Sequence, residues 1–151
     1  MANQTVCIVG MTAAGVDAAL KLRQESPDHE IILLTEEEHI PYLELPYYLG
    51  NLYKDKYTHS YQKNVAYLAA EQNIQLWTEH KLSAILPSEK KVMVDDLKSG
   101  ERKEIQYDML MLDTGTTLVM PFIEGILLHN ILPLRRLKDI LEIKERIEQG
   151  L

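Results

Sequence analysis

Short apolar runs flank a helical pattern at the start of the chain. Thr5–Val9 and Glu30–Thr35 are dominated by aliphatic side chains, which predicts two buried strands. Between them, Met11–Gln24 is rich in alanine and leucine and predicts a helix that ends at the Ser26-Pro27 break. Strand, helix and strand in this length predict one βαβ unit, with parallel neighbouring strands and a right-handed crossover.

Irregular sequence follows the second predicted strand before regular elements return. Pro41 and Pro46 interrupt any strand or helix pattern between residues 36 and 57. Ser60–Gln72 carries apolar residues on one helical face and predicts a second helix. Asn73–Thr78 then predicts a third parallel strand.

The second half of the chain changes character. Three short strand-like runs, separated by turn-like sequences, predict an antiparallel meander over Lys81–Leu86, Lys91–Asp96 and Arg102–Gln106. Met109–Leu112 predicts another buried strand, which runs into a glycine turn. Pro133–Glu148 is strongly amphipathic and predicts the last helix.

Composition and charge exclude several classes of protein. The formal net charge of -7 argues against non-specific binding to nucleic acid or to anionic membranes, which needs a basic surface. Cys7 is the only cysteine and lies in an apolar run, so we expect a buried, inert thiol in a reducing compartment. The start lacks a signal-peptide pattern, and no apolar run approaches the ~20 residues that span a bilayer. We therefore expect a cytoplasmic protein with one domain, residues 1–151.

The segment between the first strand and the first helix is a variant of the dinucleotide-binding fingerprint. Gly10 allows the tight turn, and Gly15 lets helix and strand pack closely, so that the helix N-terminus points N–H groups at a pyrophosphate. Thr12 replaces the middle glycine and either crowds the ligand or contacts it through its hydroxyl. Glu36 ends the second strand, where an acid binds ribose hydroxyls and disfavours a 2′-phosphate, so FAD or NAD fits better than NADP. The alternative is an unrelated α/β fold in which Glu36 is merely solvated.

Four stretches, in this order, carry a resemblance to a known family. They are Val6–Gly15, Leu45–Gly50, Tyr107–Gly115 with Pro121, and Leu134-Arg135 before the last helix. Their order and spacing resemble the pyridine nucleotide-disulfide oxidoreductase superfamily, in particular its NADH oxidase, coenzyme A-disulfide reductase and rubredoxin- or nitrite-reductase flavoproteins. In that family the third stretch ends in Ala-Thr-Gly near the flavin. Here Asp113 replaces the alanine, and Thr114-Gly115 remain.

The resemblance implies an α/β fold, a Rossmann-like FAD/NAD(P)-binding domain. Its parallel sheet would carry helices on one face and the antiparallel β-meander on the other. It also implies FAD as the cofactor and NADH as the electron donor of the full-length parent. The residues implied to hold FAD are Gly10, Thr12, Ala13, Ala14 and Gly15 at the pyrophosphate, Glu36 at the ribose, Pro46 near the isoalloxazine, Lys81 and Leu82 (after His80) at the adenine edge, and Thr114 and Gly115 closing over the cofactor.

Two departures from the family pattern change the expected chemistry. Leu43 and Glu44 stand where thiol-using members place a cysteine and commonly a glycine, so we expect no redox thiolate and assign no catalytic residue. The chain also ends where the NAD-binding domain would begin, and a dimerisation domain would follow. We therefore expect a truncated domain that is inactive alone, the FAD-binding portion of an NADH-dependent oxidoreductase that passes electrons to an unknown small acceptor.

Two other interpretations of the function stay open. A noncatalytic nucleotide-binding or dimerising module would keep the fold and lose the cofactor chemistry, as Thr12, Leu43, Glu44 and Asp113 favour. A protein-interaction surface, including a homo-oligomer contact, is the other, because apolar and tyrosine-rich loops favour it. The histidines show no metal-ligand spacing backed by a third ligand, so we expect no metal site.

Overall fold

The computed structural model describes residues 3–38 and 67–150. In chain order its elements are β1 (Thr5–Val9), α1 (Ala13–Glu25), β2 (Glu30–Leu34), a π-helical turn (Tyr67–Glu71), β3 (Gln75–Trp77), β4 (His80–Leu86), a 3₁₀ turn (Pro87–Glu89), β5 (Lys91–Asp96), β6 (Arg102–Gln106), β7 (Met109–Leu112) and α2 (Leu137–Glu148). One sheet is parallel, with the strand order β3-β2-β1-β7, and the other is an antiparallel meander with the order β4-β5-β6.

The two central strands are buried on both faces, which explains their unbroken aliphatic sequences. Successive side chains of a strand point to opposite faces of the sheet. One set packs against α1 in a core made of Val6, Ile8, Met11, Val16, Ala19, Ile31, Leu33, Leu68 and Ile74. The other set packs against the meander in a core made of Cys7, Val9, Ile32, Leu34, Val92, Val94 and Ile105. The sheet thus lies between a helix and a meander, which confirms the predicted three-layer α/β fold.

Within the described residues β1, β5, β6 and β7 have the predicted bounds, whereas α1 and α2 begin later than predicted. α1 begins at Ala13 because Thr12 is its N-cap, and its side-chain oxygen accepts a hydrogen bond from the Ala14 amide. The predicted start of the last helix at Pro133 is wrong. α2 begins four positions later, at Leu137. The Asp139 carboxylate accepts hydrogen bonds from the Arg135 and Arg136 amides and so caps the helix there.

One predicted element lies largely outside the described residues. Of the helix predicted over 60–72, the structure describes the π-helical turn at Tyr67–Glu71. Asn73 follows it in the left-handed region at φ 50, and Ile74 then donates its amide to the Leu68 carbonyl over 3.0 Å. This turn brings Leu68 and Ile74 into the α1-side core.

Candidate dinucleotide-binding site

The candidate site lies where three parallel strands end at one edge of the sheet. The Gly10 amide donates to the Leu34 carbonyl over 2.7 Å, and the Asp113 amide donates to the Val9 carbonyl over 2.7 Å. The loops that follow β1, β2 and β7 are therefore neighbours. In open α/β sheets, ligands bind at the carboxyl ends of the strands where the direction of winding reverses. β1 is that point here, because β2 lies on one side of it and β7 on the other.

Neither Gly10, in the loop after β1, nor Gly15, in the first turn of α1, has room for a side chain. Gly10 has φ +115, and a Cβ there would lie 1.7 Å from the Asp113 carbonyl oxygen. A Cβ on Gly15 would lie 2.3 Å from the Gly10 carbonyl oxygen. The structure therefore explains both glycines as close backbone contacts that hold β1, α1 and β7 together.

The N-terminus of α1 opens to solvent at this edge. Ala13 and Ala14 are exposed, and Thr12 is half-buried behind them. The Ala14 amide makes a long bond of 3.3 Å to Thr12 Oγ1, and no bond from the Ala13 amide is found within the described ranges 3–38 and 67–150. The first turn of a helix carries a partial positive charge and unsatisfied N–H donors, which suit a phosphate group.

A carboxylate that sequence analysis did not place in this loop reaches the same helix end. Asp113 Oδ2 accepts a hydrogen bond from Thr12 Oγ1 at 2.5 Å and another from the Gly15 amide at 2.8 Å. The two positions that depart from the family pattern in this region, Thr12 and Asp113, are thus in direct contact. No local sequence signal could have shown it, since 98 residues separate Asp113 from Gly15.

Glu36 lies two residues after β2, which ends at Leu34, and its carboxylate is paired with an arginine. Arg136 Nη2 lies 3.2 Å from Glu36 Oε1, and Arg136 Nε lies 2.9 Å from Glu37 Oε1. Both ends of the Glu36 pair are partly exposed, at 32% for the arginine side chain and 44% for the glutamate. Ion pairs this exposed contribute little to stability, so the pair leaves the Glu36 carboxylate partly accessible to solvent.

The turn after β7 brings a second arginine to the loop. Gly115 has φ +68, and a Cβ there would lie 3.4 Å from Thr12 Cγ2 and 3.9 Å from an Arg135 guanidinium nitrogen. Arg135 Nε also contacts Thr116 Oγ1 at 3.5 Å. Thr114 and Gly115 are exposed beside it. Arg135 was part of the resemblance, but no role was predicted for it. Its position beside Gly115 supplies a cation near the α1 N-terminus.

Lys81 and Leu82, which were predicted to lie near the adenine, follow the β3–β4 turn, and this turn is bonded to the segment after β2. Thr35 donates its amide to the Trp77 carbonyl, and His80 donates its amide to the Thr35 carbonyl, each over 2.9 Å. Lys81 is exposed at the start of β4, and Leu82 is half-buried against the meander-side core. These contacts place the β3–β4 turn next to the residue that precedes Glu36.

A shallow cleft beside this turn is lined by a charged cluster. The cleft has a volume of about 350 Å³. Lys103 Nζ lies 2.7 Å from Asp96 Oδ2, 3.2 Å from His80 Nε2 and 5.7 Å from the centre of the Trp77 ring. The Lys103 ammonium, helped by the amides of Ser99 and Lys98, holds the pKa of Asp96 well below its ordinary value. The cluster is internally paired and shapes one wall of the cleft.

The cysteine of the chain is buried, as expected. Cys7 is 0% exposed in β1, and burial raises the pKa of its thiol to about 11. The thiol is therefore protonated and enclosed at neutral pH. Within residues 3–38 and 67–150 no cluster of histidine, cysteine and acidic side chains could hold a metal ion, and no helix there is long and apolar enough to cross a membrane.

Several predicted positions lie outside the described residues. Pro46, which the resemblance placed near the isoalloxazine, is one of them, and Leu43 and Glu44 are others. Their roles stay predictions.

Comparisons with known proteins agree with this geometry. The family described as pyridine nucleotide-disulphide oxidoreductase matches residues 4–149. An NADH oxidase of Methanocaldococcus jannaschii is 31% identical, over 95% of this chain and 32% of that protein. A 3-phenylpropionate/cinnamic acid dioxygenase ferredoxin–NAD(+) reductase component of Photorhabdus laumondii is 34% identical, over 99% of this chain and 36% of that protein. A solved NAD-dependent persulfide reductase from A. fulgidus superposes with a TM-score of 0.83 at 29% identity, over 97% of this chain and 28% of that one. The chain thus spans about a third of the length of these relatives.

Proposed function

The chain belongs to the pyridine nucleotide-disulphide oxidoreductase family, and from that premise we propose that it is the FAD-binding portion of an NADH-dependent flavoprotein that passes electrons to a small acceptor. Relatives named as an NADH oxidase and as a ferredoxin–NAD(+) reductase component support this class of reaction. When bound, a flavin would supply the hydride and electron transfer, and the protein would bind and orient it. We also propose a cytoplasmic location, because Cys7 is a free, buried thiol, as is common in a reducing compartment.

The loop after β1 is the observation that carries this proposal. Gly10 and Gly15 bring β1, α1 and β7 into contact at the point where the direction of winding reverses. Ala13 and Ala14, the first residues of α1, are exposed at that point. Helix N-termini in this position bind pyrophosphate in dinucleotide-binding folds.

The residues around the loop fit FAD, with one charge that opposes it. The first turn of α1 would hold the pyrophosphate, with the Arg135 guanidinium beside Gly115 as a nearby cation. Glu36 would bind the ribose after exchanging its exposed pair with Arg136. The opposing charge is Asp113, whose carboxylate already lies at the same helix end.

We propose that electrons pass without a thiol of this chain. The resemblance places Leu43 where thiol-using members of the family carry their cysteine. Cys7 is enclosed in the sheet with a pKa raised to about 11, so it supplies no thiolate. We propose further that NADH binding and dimerisation belong to domains outside this segment, since the chain spans about a third of its relatives.

The visible absorbance of the purified chain, before and after incubation with FAD and desalting, tests the proposal. We expect flavin bands that remain with the protein and FAD-dependent thermal stabilisation. Ala14→Asp should abolish both, because it puts an anion on the exposed first turn of α1, yet should not harm folding there. Ala70→Asp, at an exposed alanine away from the loop, is the matched control. A chain that stays colourless with FAD in excess would contradict the proposal.

A specific observation favours the alternative of a noncatalytic module that dimerises. Large apolar side chains are exposed after the β7 turn, with Val119 at 81%, Phe122 at 107% and Leu127 at 88% of full exposure. Contiguous exposed apolar surface marks contact with another protein surface. A colourless chain that elutes as a dimer, and reverts to a monomer in Phe122→Ser, would favour this alternative.

A further inference from the structure

The α1 N-terminus is already occupied by an anion from its own chain. Asp113 Oδ2 accepts the Gly15 amide at 2.8 Å and the Thr12 hydroxyl at 2.5 Å. Thr12 is also the N-cap, through its bond with the Ala14 amide. Carboxylates at this position stabilise a helix because they oppose its dipole and satisfy unpaired donors.

The carboxylate is fixed there by backbone as well as side-chain contacts. The backbone amide of Asp113 donates to the Val9 carbonyl over 2.7 Å. The backbone carbonyl of Asp113 occupies the place where a Cβ on Gly10 would lie. A Cβ on Gly15 would lie 2.7 Å from the carboxylate oxygen itself. The Asp113 carboxylate therefore cannot leave the loop without breaking its two hydrogen bonds, with Thr12 and with Gly15.

We propose that Asp113 is an internal anion that stabilises the ligand-free loop and lowers its affinity for the pyrophosphate of a dinucleotide. The inference rests on the proposed function, because it concerns the same site. A pyrophosphate at Ala13 and Ala14 meets a helix end whose positive potential Asp113 has partly neutralised, and it also meets the negative charge itself. The carboxylate and the ligand thus act against each other at one helix terminus.

The experiment compares the wild-type chain with Asp113→Asn and Asp113→Ala. Asparagine keeps an oxygen for the Gly15 amide and the Thr12 hydroxyl but removes the charge, and alanine removes both. Dissociation constants for FAD and for inorganic pyrophosphate are measured by calorimetry, and the melting temperature of each ligand-free chain is recorded. Asp108→Asn is the matched control, because Asp108 lies at the other end of β7 and accepts the Thr5 amide at 2.9 Å.

We expect affinity and stability to move in opposite directions. Both Asp113 variants should bind FAD and pyrophosphate roughly tenfold more tightly than the wild type, since the charge at the helix end is gone. Their ligand-free melting temperatures should fall in the order wild type, asparagine, alanine. Asp108→Asn should leave both affinities unchanged.

The two ligands separate failure of this inference from failure of the proposed function. Equal or weaker binding of both ligands by the Asp113 variants overturns the inference and leaves the proposed function standing if FAD binds. If pyrophosphate binds more tightly to the variants while FAD binds to no chain, the inference holds and the proposed function falls. Binding of neither ligand to any chain overturns both.

Discussion

The two α-helices within residues 3–38 and 67–150 both have a carboxylate at the N-terminus, but one comes from a neighbouring residue and the other from a distant segment. At the start of α2, Asp139 accepts the Arg136 and Arg135 amides at 2.7 and 2.8 Å, from within the same turn. At the start of α1, the acceptor is Asp113, 98 residues away from the Gly15 amide that it binds. The α2 cap only begins a helix. Asp113 also joins β7 to the start of α1, so under our proposal the same carboxylate affects both the stability of the fold and the binding of a ligand.

The largest expected effect concerns the crowding of the loop before α1. Gly10→Ala should destabilise the fold by on the order of 4 kcal/mol or more, because the new Cβ would fall 1.7 Å from the Asp113 carbonyl oxygen and force β1 and β7 apart. That is a large part of the stability of a typical domain. Urea denaturation followed by far-UV circular dichroism measures it.

Gly100→Ala is the matched control for that substitution. Gly100 also has a positive φ, +74, but nothing lies within 4 Å of its Cβ position. Its loss of stability should be limited to the backbone strain of about 1–2 kcal/mol. Equal losses at the two glycines would show that the contact with β7 is unimportant.

Features that depend on residues close together in the chain could be predicted from the sequence, and contacts between distant segments could not. Gly10, Gly15 and Glu36 follow from a local fingerprint, and the structure places them at one edge of the sheet. The aliphatic runs predicted the parallel strands, since strands buried on both faces need them. Neither the Asp113–Thr12 contact nor the pairing of Glu36 with Arg136 could be predicted, because each depends on distant segments that meet only in the fold.

The first residue of a helix is also hard to predict from sequence, even where the capping residue is close by in the chain. The amphipathic pattern predicted α2 correctly but began it at Pro133, because periodicity does not show where the amides are capped. Asp139 determines the start, and its role depends on the turn of the backbone before Leu137. Pro46, outside the described residues, remains a prediction from the resemblance alone.

The next prediction, of intermediate size, tests whether Asp139 at α2 affects only stability, whereas Asp113 at α1 also affects FAD binding. Asp139→Ala should destabilise the fold by about 1–3 kcal/mol, because Asp139 is 8% exposed and two backbone donors lose their acceptor. Thermal unfolding measures the loss. FAD affinity is compared in Asp139→Asn, which keeps the acceptor oxygen, and should equal that of the wild type. A gain in affinity like that expected for Asp113→Asn would mean that charge anywhere near this edge controls binding, and that the α1 cap is not special.

The smallest expected effect concerns the arginine at the start of α2, whose side chain reaches across to β2. Arg136→Gln removes the contacts with Glu36 and Glu37 at 3.2 and 2.9 Å. The stability loss should stay below about 1 kcal/mol and shrink with added salt, because the pairs are partly exposed. Arg102→Gln, which breaks an exposed pair with Asp95 at 2.7 Å on the meander, should cause a similar loss. Only Arg136→Gln should raise FAD affinity, by a few-fold, since it frees the Glu36 carboxylate for the ribose hydroxyls. Weaker FAD binding in a titration of Arg136→Gln would instead mean that the arginine, at the N-cap of α2, itself holds the nucleotide.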